Sequence, residues 1–362
     1  MLPPLVNKEF AQSEQLNQQK RSVRAPGNRL RMEQNGTANG THQGVFQTVG
    51  RQVWLLSDSA ETQKETYKAL DSALREQCAE QSVNYQVVML QDLIMSVERG
   101  HLRLYVKGWP INIYPQVVYF RGHTPDFKMD GEVTILRHLE KIGCRVVNRL
   151  QPMLRCINKF WTLQELAGHG IPVPDSLSYG GYLGMQQLIE LGESQLSYPL
   201  VVKNTRGCRG NAVFLAGNKG QMLEIQHVLK MDTPYLFQQY IKESHGRDVR
   251  VMVIGGQVVA SAKRISQGGR LQSNFSQGSL PELYTLDESG RNLASRVSEI
   301  LGMDICAIDL LIRDDGSFCV CEVNSNPGFI PLGKTCNLDI HSLIARHVIS
   351  FLQNPGNCDN NN

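Results

Sequence analysis

A carboxylate set inside an apolar strand does most to narrow what this chain can fold into. In the run Ala307-Ile308-Asp309-Leu310-Leu311-Ile312, Asp309 stands among five apolar neighbours. Burying it without a partner would be costly, so the fold must bring it a cation. Asp314-Asp315-Gly316 follows and supplies a turn, since Asp-Gly tolerates the positive φ of a tight hairpin. Beyond the turn Phe318, Val320, Glu322 and Asn324 recur at period two, which predicts that Glu322 and Asn324 project from one face of the returning strand. Pairing across the turn then brings Asp309 to both. Three hard oxygen ligands suit Mg²⁺, which keeps waters and completes its shell with phosphate oxygens. The alternative is an ordinary hairpin whose acids face water, and a nucleotide site upstream is what separates the two.

The rest of the 362 residues is long enough for two or three domains. Residues 1–50 are rich in Gln, Asn, Gly, Thr and Arg without a sustained apolar period, and are expected to be a disordered leader. The start MLPPLVNKEF lacks a secretory h-region, which makes the sequons at Asn35 and Asn39 chance matches. Basic residues from Lys20 to Arg31 would suit a mitochondrial leader, against which Glu9, Glu14 and Glu33 argue. No apolar run approaches the ~20 residues of a membrane helix. A net charge of +3 gives no sign of a concentrated basic face, so neither membrane nor nucleic acid is an expected partner. Nine cysteines without CxxC spacing or a Cys/His quartet point to reduced thiols in the cytoplasm, Cys319 and Cys321 among them as buried neighbours on one strand face.

Strands at 53–56, 87–90 and 117–120 alternate with helices at 62–81 and 133–142, which predicts an open, largely parallel α/β unit over 51–150. Asn158-Lys159-Phe160-Trp161 leads into a helix over 162–169, stopped by Gly170 with Pro172 and Pro174 beyond. A strand over 200–203 ends in Lys203, and another resumes at 213–215. The turn between them carries Thr205, Arg206, Gly207, Arg209 and Gly210 and reads as a lid for phosphates, with backbone N–H and Arg as donors. It is not a Walker loop, because the GxxxxGK[ST] order and the helix after it are missing. A plain hairpin is the alternative. Next come an apolar strand over 235–241 and one over 249–254, with Asp248, Arg250 and Met252 on one face. Gly255-Gly256 turns the chain back so that Arg264 lands near the charged end. A surface cross-strand pair is the alternative for Asp248 and Arg250. Helices over 289–301 and 338–352 read as core packing, and 354–362 as a frayed tail.

The order of these parts resembles the ATP-grasp superfamily. Within it, NKFWTLQELAGHGIPVP, GRDVRVMVIGGQVVASAKR, SNFSQG and DLLIRDDGSFCVCEVNSNPGF resemble the ribosomal-protein glutamate ligase family, in its animal branch of N-acetylaspartylglutamate and β-citrylglutamate synthases, over residues 52–352. The resemblance implies an ATP-grasp fold of mixed α/β and α+β class: an N-terminal α/β domain, a central subdomain over 151–236 and a C-terminal one over 237–353, with ATP clasped between the last two. It implies that Lys159 and Lys203 bind the ATP phosphates and that Gln238, Gln239, Tyr240 and Ile241 line the adenine. Asp248 would take the ribose, with Ser273 and Asn274 also at the nucleotide. Arg264 would act with Lys203 at the reacting end, and Asp309, Glu322 and Asn324 would hold two Mg²⁺ or Mn²⁺ ions. Arg250, Lys263, Arg264 and Arg270 are expected to gather near the metal end, as a polyanionic substrate requires. The chain departs at Gln272, where the wider family has arginine, which removes a bidentate charge. The implied reaction joins glutamate to N-acetylaspartate or citrate. Addition of glutamate to a protein C-terminus, and a nucleotide-binding scaffold without turnover, remain as alternatives.

Overall fold

The computed structural model describes residues 49–122, 130–180, 184–206, 212–229, 234–275 and 278–353; the leader before Val49, the tail from Asn354 and the lid positions Gly207, Arg209 and Gly210 lie outside the described residues. β1 (Val49–Ser57) begins inside the segment assigned to the leader. It is followed by α1 (Glu65–Glu80), which turns Tyr67, Leu70 and Leu74 inward as their helical spacing predicts. β2 (Asn84–Met89) pairs parallel to β1.

An antiparallel meander that the sequence does not advertise comes next: β3 (Leu93–Glu98), β4 (His101–Val106) and β5 (Trp109–Pro110). Its two turns, Arg99-Gly100 and Lys107-Gly108, place both residues at positive φ. Glycine fits that geometry, but Arg and Lys stand where Asn or Asp usually signal it, so half of the hairpin signature is hidden. Leu93 and Leu104 pack this meander onto the core of the parallel sheet. The sheet is completed by β6 (Tyr114–Arg121) and, after α2 (Asp130–Ile142), by β7 (Arg145–Val147), in the order β2-β1-β6-β7.

α3 (Leu150–Ile157) and α4 (Lys159–Gly168) lead to a second sheet. Asn158 caps α4 by accepting from the Phe160 and Trp161 N–H groups at 2.9 and 3.3 Å, so the helix starts at Lys159, earlier than the expected 162. β8 (Ser176–Ser178), α5 (Gly184–Leu191), β9 (Leu200–Asn204), β10 (Val213–Ala216), α6 (Lys219–Val228) and β11 (Tyr235–Gln239) follow. The strands form an antiparallel sheet ordered β10-β9-β11-β8, whose core holds Leu188, Leu200, Val202, Met222 and Phe237.

The third large sheet is built from β12 (Arg247–Ile254), β13 (Gln257–Ile265) and β14 (Leu280–Leu283), then, after α7 (Glu288–Leu301), from β15 (Ile305–Ile312) and β16 (Phe318–Asn324). α8 (Ile330–Cys336) and α9 (Ile340–Ser350) end the described chain. The sheet is antiparallel in the order β14-β13-β12-β15-β16. Val249, Val251, Val253, Ile308 and Leu310 fill one face against Val297 and Leu301 of α7.

The opposite face of this sheet is divided. At one end Met252, Ala262 and Ala307 join Val53, Leu70, Leu74 and Val117 of the parallel unit and Ile344 and Val348 of α9 in one continuous core. At the other end it carries Asp248, Arg250, Arg264 and Asp309. Asn148 locks the junction: its amide donates to the carbonyls of Ile305 and Ser325 at 2.7 and 2.8 Å and accepts from the Ile305 N–H at 2.8 Å. The start of β15 and the exit of β16 are thereby fixed by the parallel unit. Among the described residues no helix is long and apolar enough to cross a membrane.

Candidate active site

The β15–β16 hairpin does pair Asp309 with Glu322, and it does so through an irregularity. Leu310 pairs with Val320 and Asp309 with Glu322, so Cys321 is an extra residue, a β-bulge. Before the bulge Phe318 and Val320 face the α7 side, and after it Val323 takes over there while Glu322 and Asn324 face the charged side. The predicted period of two from Phe318 to Asn324 is therefore corrected: the strand changes phase at Cys321. The bulge sends both Cys321 and Glu322 toward the same cleft.

Asp309 is buried, and its cost is met by two arginines. Arg250 donates from Nε and Nη2 to its two oxygens at 2.8 and 2.9 Å. Arg264 Nη2 lies 3.0 Å from Asp309 Oδ2 and also donates to Asp248 Oδ2 at 2.5 Å, while its Nε donates to Asp248 Oδ1 at 2.7 Å. Ser273 Oγ adds a bond to Asp248 Oδ2 at 2.7 Å. Two guanidiniums and two carboxylates thus alternate across β13, β12 and β15, a buried network and not the surface pair considered for Asp248 and Arg250. Bidentate geometry of this kind is the strong form of the interaction. Burial pushes the Asp309 carboxyl up, but Arg250 and Arg264 outweigh it and hold it below the usual range. At Asp248 burial wins against Arg264, with Asp309 adding to the rise, and its carboxyl lies above the usual range. Burial works against the Arg264 charge, yet Asp309 and Asp248 raise its pKa further.

Two lysines complete the polar wall. Lys159, at the first residue of α4, reaches Glu322 Oε1 at 3.6 Å, and its backbone N–H donates to the Thr205 carbonyl at 2.7 Å, tying the helix start to the β9 hairpin. Lys203 is buried at 6% exposure, and among the described residues its side chain donates only to the Cys321 thiol, 3.7 Å away. Sulfur is a weak acceptor, so this ammonium keeps donors for something in the cleft. Burial pushes the Cys321 thiol up to about 11, with Lys203 opposing, so it is a neutral partner.

These groups line one cleft that opens to solvent at its mouth. Lys159, Lys203, Gln238, Gln239, Tyr240, Ile241, Asp248, Arg264, Ser273, Asn274, Asp309, Glu322 and Asn324, all expected at the site, come together there. Val201, Val213, Leu271 and Leu311, not foreseen, give it apolar walls. Val201 stands two residues from Lys203 and Leu311 two from Asp309, so strand alternation already carried the signal. Arg250 belongs to the site, whereas Lys263 does not: it pairs opposite Val249 and Glu282, on the face away from Arg264. Arg270 is exposed on a turn outside the cleft lining, its carbonyl accepting from Ser266 Oγ. Of the lid positions, Thr205 is buried against the Pro234 carbonyl, and the Arg206 guanidinium sits 5.3 Å over the Trp161 ring.

The donor set fits a hard divalent cation. Asp309, Glu322 and Asn324 bring two carboxylates and one side-chain amide to one face of adjacent strands. Arg250, Arg264 and the Asn324 amide, whose Nδ2 donates to Asp309 Oδ2 at 3.4 Å, together engage the roughly four lone-pair directions of Asp309. Glu322, with a third of its side chain exposed, therefore has the more open coordinating oxygens. The cleft lining counts Lys159, Lys203, Arg247, Arg250 and Arg264 against Asp248, Asp309 and Glu322, an excess of positive charge suited to a polyanion.

Known proteins resemble this chain in sequence and in fold. A RimK-like ATP-grasp domain model matches residues 156–348. The β-citrylglutamate synthase B of Homo sapiens is 49% identical over 305 residues, 84% of this chain and 79% of that protein. The N-acetylaspartylglutamate synthase A of Mus musculus is 51% identical over 303 residues, 84% of this chain and 80% of that protein. Among solved structures, the ATP-grasp ligase PsnB complexed with minimal precursor, Mg and ADP superposes with a TM-score of 0.61 at 17% identity, covering 84% of this chain and all of that one, a likeness of fold.

Proposed function

Because the chain belongs to the RimK-like ATP-grasp family, we propose that it is an ATP-dependent carboxylate–amine ligase that joins L-glutamate to N-acetylaspartate and to citrate. The observation that carries this reading is Lys203, a buried ammonium facing the cleft with a thiol as its one hydrogen-bond partner among the described residues, opposite Asp309, Glu322 and Asn324. The names of the two synthases supply the substrate class.

In the proposed reaction a carboxylate oxygen of the acyl substrate attacks the γ-phosphorus of ATP, the bond to the β–γ bridging oxygen breaks, and ADP leaves. The glutamate α-amine then attacks the carbonyl carbon of the acyl phosphate; phosphate leaves with the bonding electrons, and the amine loses a proton. Lys159 and Lys203 bind the phosphates and, with Arg264, neutralise charge that builds on the transferring group. Val201, Leu311 and the segment from Gln238 to Ile241 take the adenine between apolar walls and backbone donors. Asp248, whose oxygens are already engaged, acts at the ribose end by holding Arg264 and Ser273 in place. Asp309, Glu322 and Asn324 would hold the Mg²⁺ or Mn²⁺ ions, which supply further charge neutralisation at the phosphate oxygens. The compartment we assign is the cytoplasm, where the described cysteines, all free thiols, stay reduced.

The test is ADP release by the purified protein with ATP, Mg²⁺ and glutamate, run with N-acetylaspartate, citrate and a glutamate-accepting peptide in parallel, and mass measurement of the product. A product with the mass of the two acids less one water supports the assignment. Glutamyl addition to the peptide alone, or no release with either acid, refutes it.

A further inference from the structure

Gln272 stands where two walls of the cleft meet. It is half-buried on the segment between β13 and β14, and its Nε2 donates to the Val213 carbonyl at 2.9 Å. Val213 is the first residue of β10, the edge strand of the four-stranded sheet. The next residue reaches the other way, since Ser273 Oγ binds Asp248 in the five-stranded sheet. Residues 272 and 273 therefore join an edge strand of one sheet to the buried charge network of the other, and Val213, Gln272, Ser273 and Asp248 all line the cleft.

We infer that Gln272 is a positioning residue, a neutral latch that holds β10 against the 271–274 segment and so keeps water from the acyl phosphate of the reaction proposed above. The chemical half of this inference rests on that reading; the latch itself rests on the Gln272–Val213 bond. An edge-strand carbonyl lacks a ladder partner on its outer side, and a side-chain amide satisfies it without bringing a charge to be desolvated. The latch matters because the acyl phosphate has two competing nucleophiles, the glutamate amine and water, and closure decides between them. One net hydrogen bond corresponds to an effect of about 2- to 10-fold.

The test uses Gln272→Glu, nearly the same shape but unable to donate to a carbonyl, with Gln272→Ala as a second variant and Gln272→Arg as one that keeps N–H donors. Two quantities are read: phosphate released per amide formed, and the dissociation rate of a fluorescent ADP analogue, which requires no turnover. Gln272→Glu and Gln272→Ala are expected to raise both by about 2- to 10-fold with little change in KM for the acyl acid, and Gln272→Arg to stay near the wild-type dissociation rate. Wild-type values in both loss-of-donor variants overturn the latch, as does a change confined to KM for the acyl acid, which would make Gln272 a substrate contact. If the wild type forms no amide with any acid, the functional reading fails while the dissociation rates still decide the latch.

Discussion

Replacing Arg250 by methionine tests how the charges of the site are balanced. Arg250 gives Asp309 two hydrogen bonds inside the protein, and Arg264 divides its fork between Asp248 and Asp309. Two guanidiniums thus face two carboxylates, and Arg250→Met leaves one cation for two buried anions. Breaking a buried pair by removing one partner costs about 3–5 kcal/mol, and because Arg264 stays 3.0 Å from Asp309 the expected loss is at the lower end, about 3 kcal/mol. The double variant Arg250→Met/Asp309→Leu removes both charges and leaves Arg264 paired with Asp248. It should recover to within about 1 kcal/mol of the wild type, since exchanging both partners of a buried pair for apolar groups is often neutral. Urea unfolding near neutral pH, followed by tryptophan fluorescence and circular dichroism, measures both. A loss below about 1 kcal/mol in the single variant, or a double variant no more stable than the single, would refute the account of two neutral pairs.

Lys203→Met should weaken ADP binding by roughly 10-fold or more, the scale of a charged hydrogen bond, while leaving thermal stability equal or higher; calorimetric titration and melting curves read the two effects. Glu322→Gln keeps the fold and binds ATP within a few-fold of wild type but should lose amide formation, as product analysis would show; an unchanged rate would remove Glu322 from the ion-holding set. Burial holds the His347 imidazole below its usual value, with Asp304 opposing, so its stabilisation is present above the unfolded value near 6.5 and is lost as pH falls. His347→Gln should therefore narrow the difference between urea midpoints measured near pH 7.5 and pH 5.5. Chelation of divalent ions should stop ADP release, and excess Mg²⁺ should restore it.

The pairing of Asp309 with Glu322 was legible because a carboxylate in an apolar run demands a polar partner, and the turn at Asp314 to Gly316 limits where that partner lies. The phase change at Cys321 was not, because a bulge without glycine leaves no mark on composition. Alternation placed Arg250 on the correct face, but its bond to Asp309, distant in sequence, depends on β12 lying beside β15, and strand order is a tertiary fact. The same alternation, applied strictly, excludes Lys263 from a site containing Arg264, because neighbours on a strand face opposite ways. The helix start at Lys159 was displaced in the sequence because the apolar pattern begins later than the Asn158 cap. The meander over β3–β5 was hidden by turns that pair glycine with a basic residue.

The core beneath the parallel sheet is closed by residues from opposite ends of the chain: Tyr67, Leu70 and Leu74 of α1 pack with Ile344, Val348 and Ile349 of α9. During synthesis the first of these leave the ribosome with the part of their apolar face that α9 covers still exposed, and those partners are among the last to be made. The growing chain must carry that exposed surface through most of translation, when collapse onto a neighbouring molecule competes with waiting for its own C-terminal helix. A message truncated ahead of α9 therefore yields a chain whose first helix stays partly uncovered.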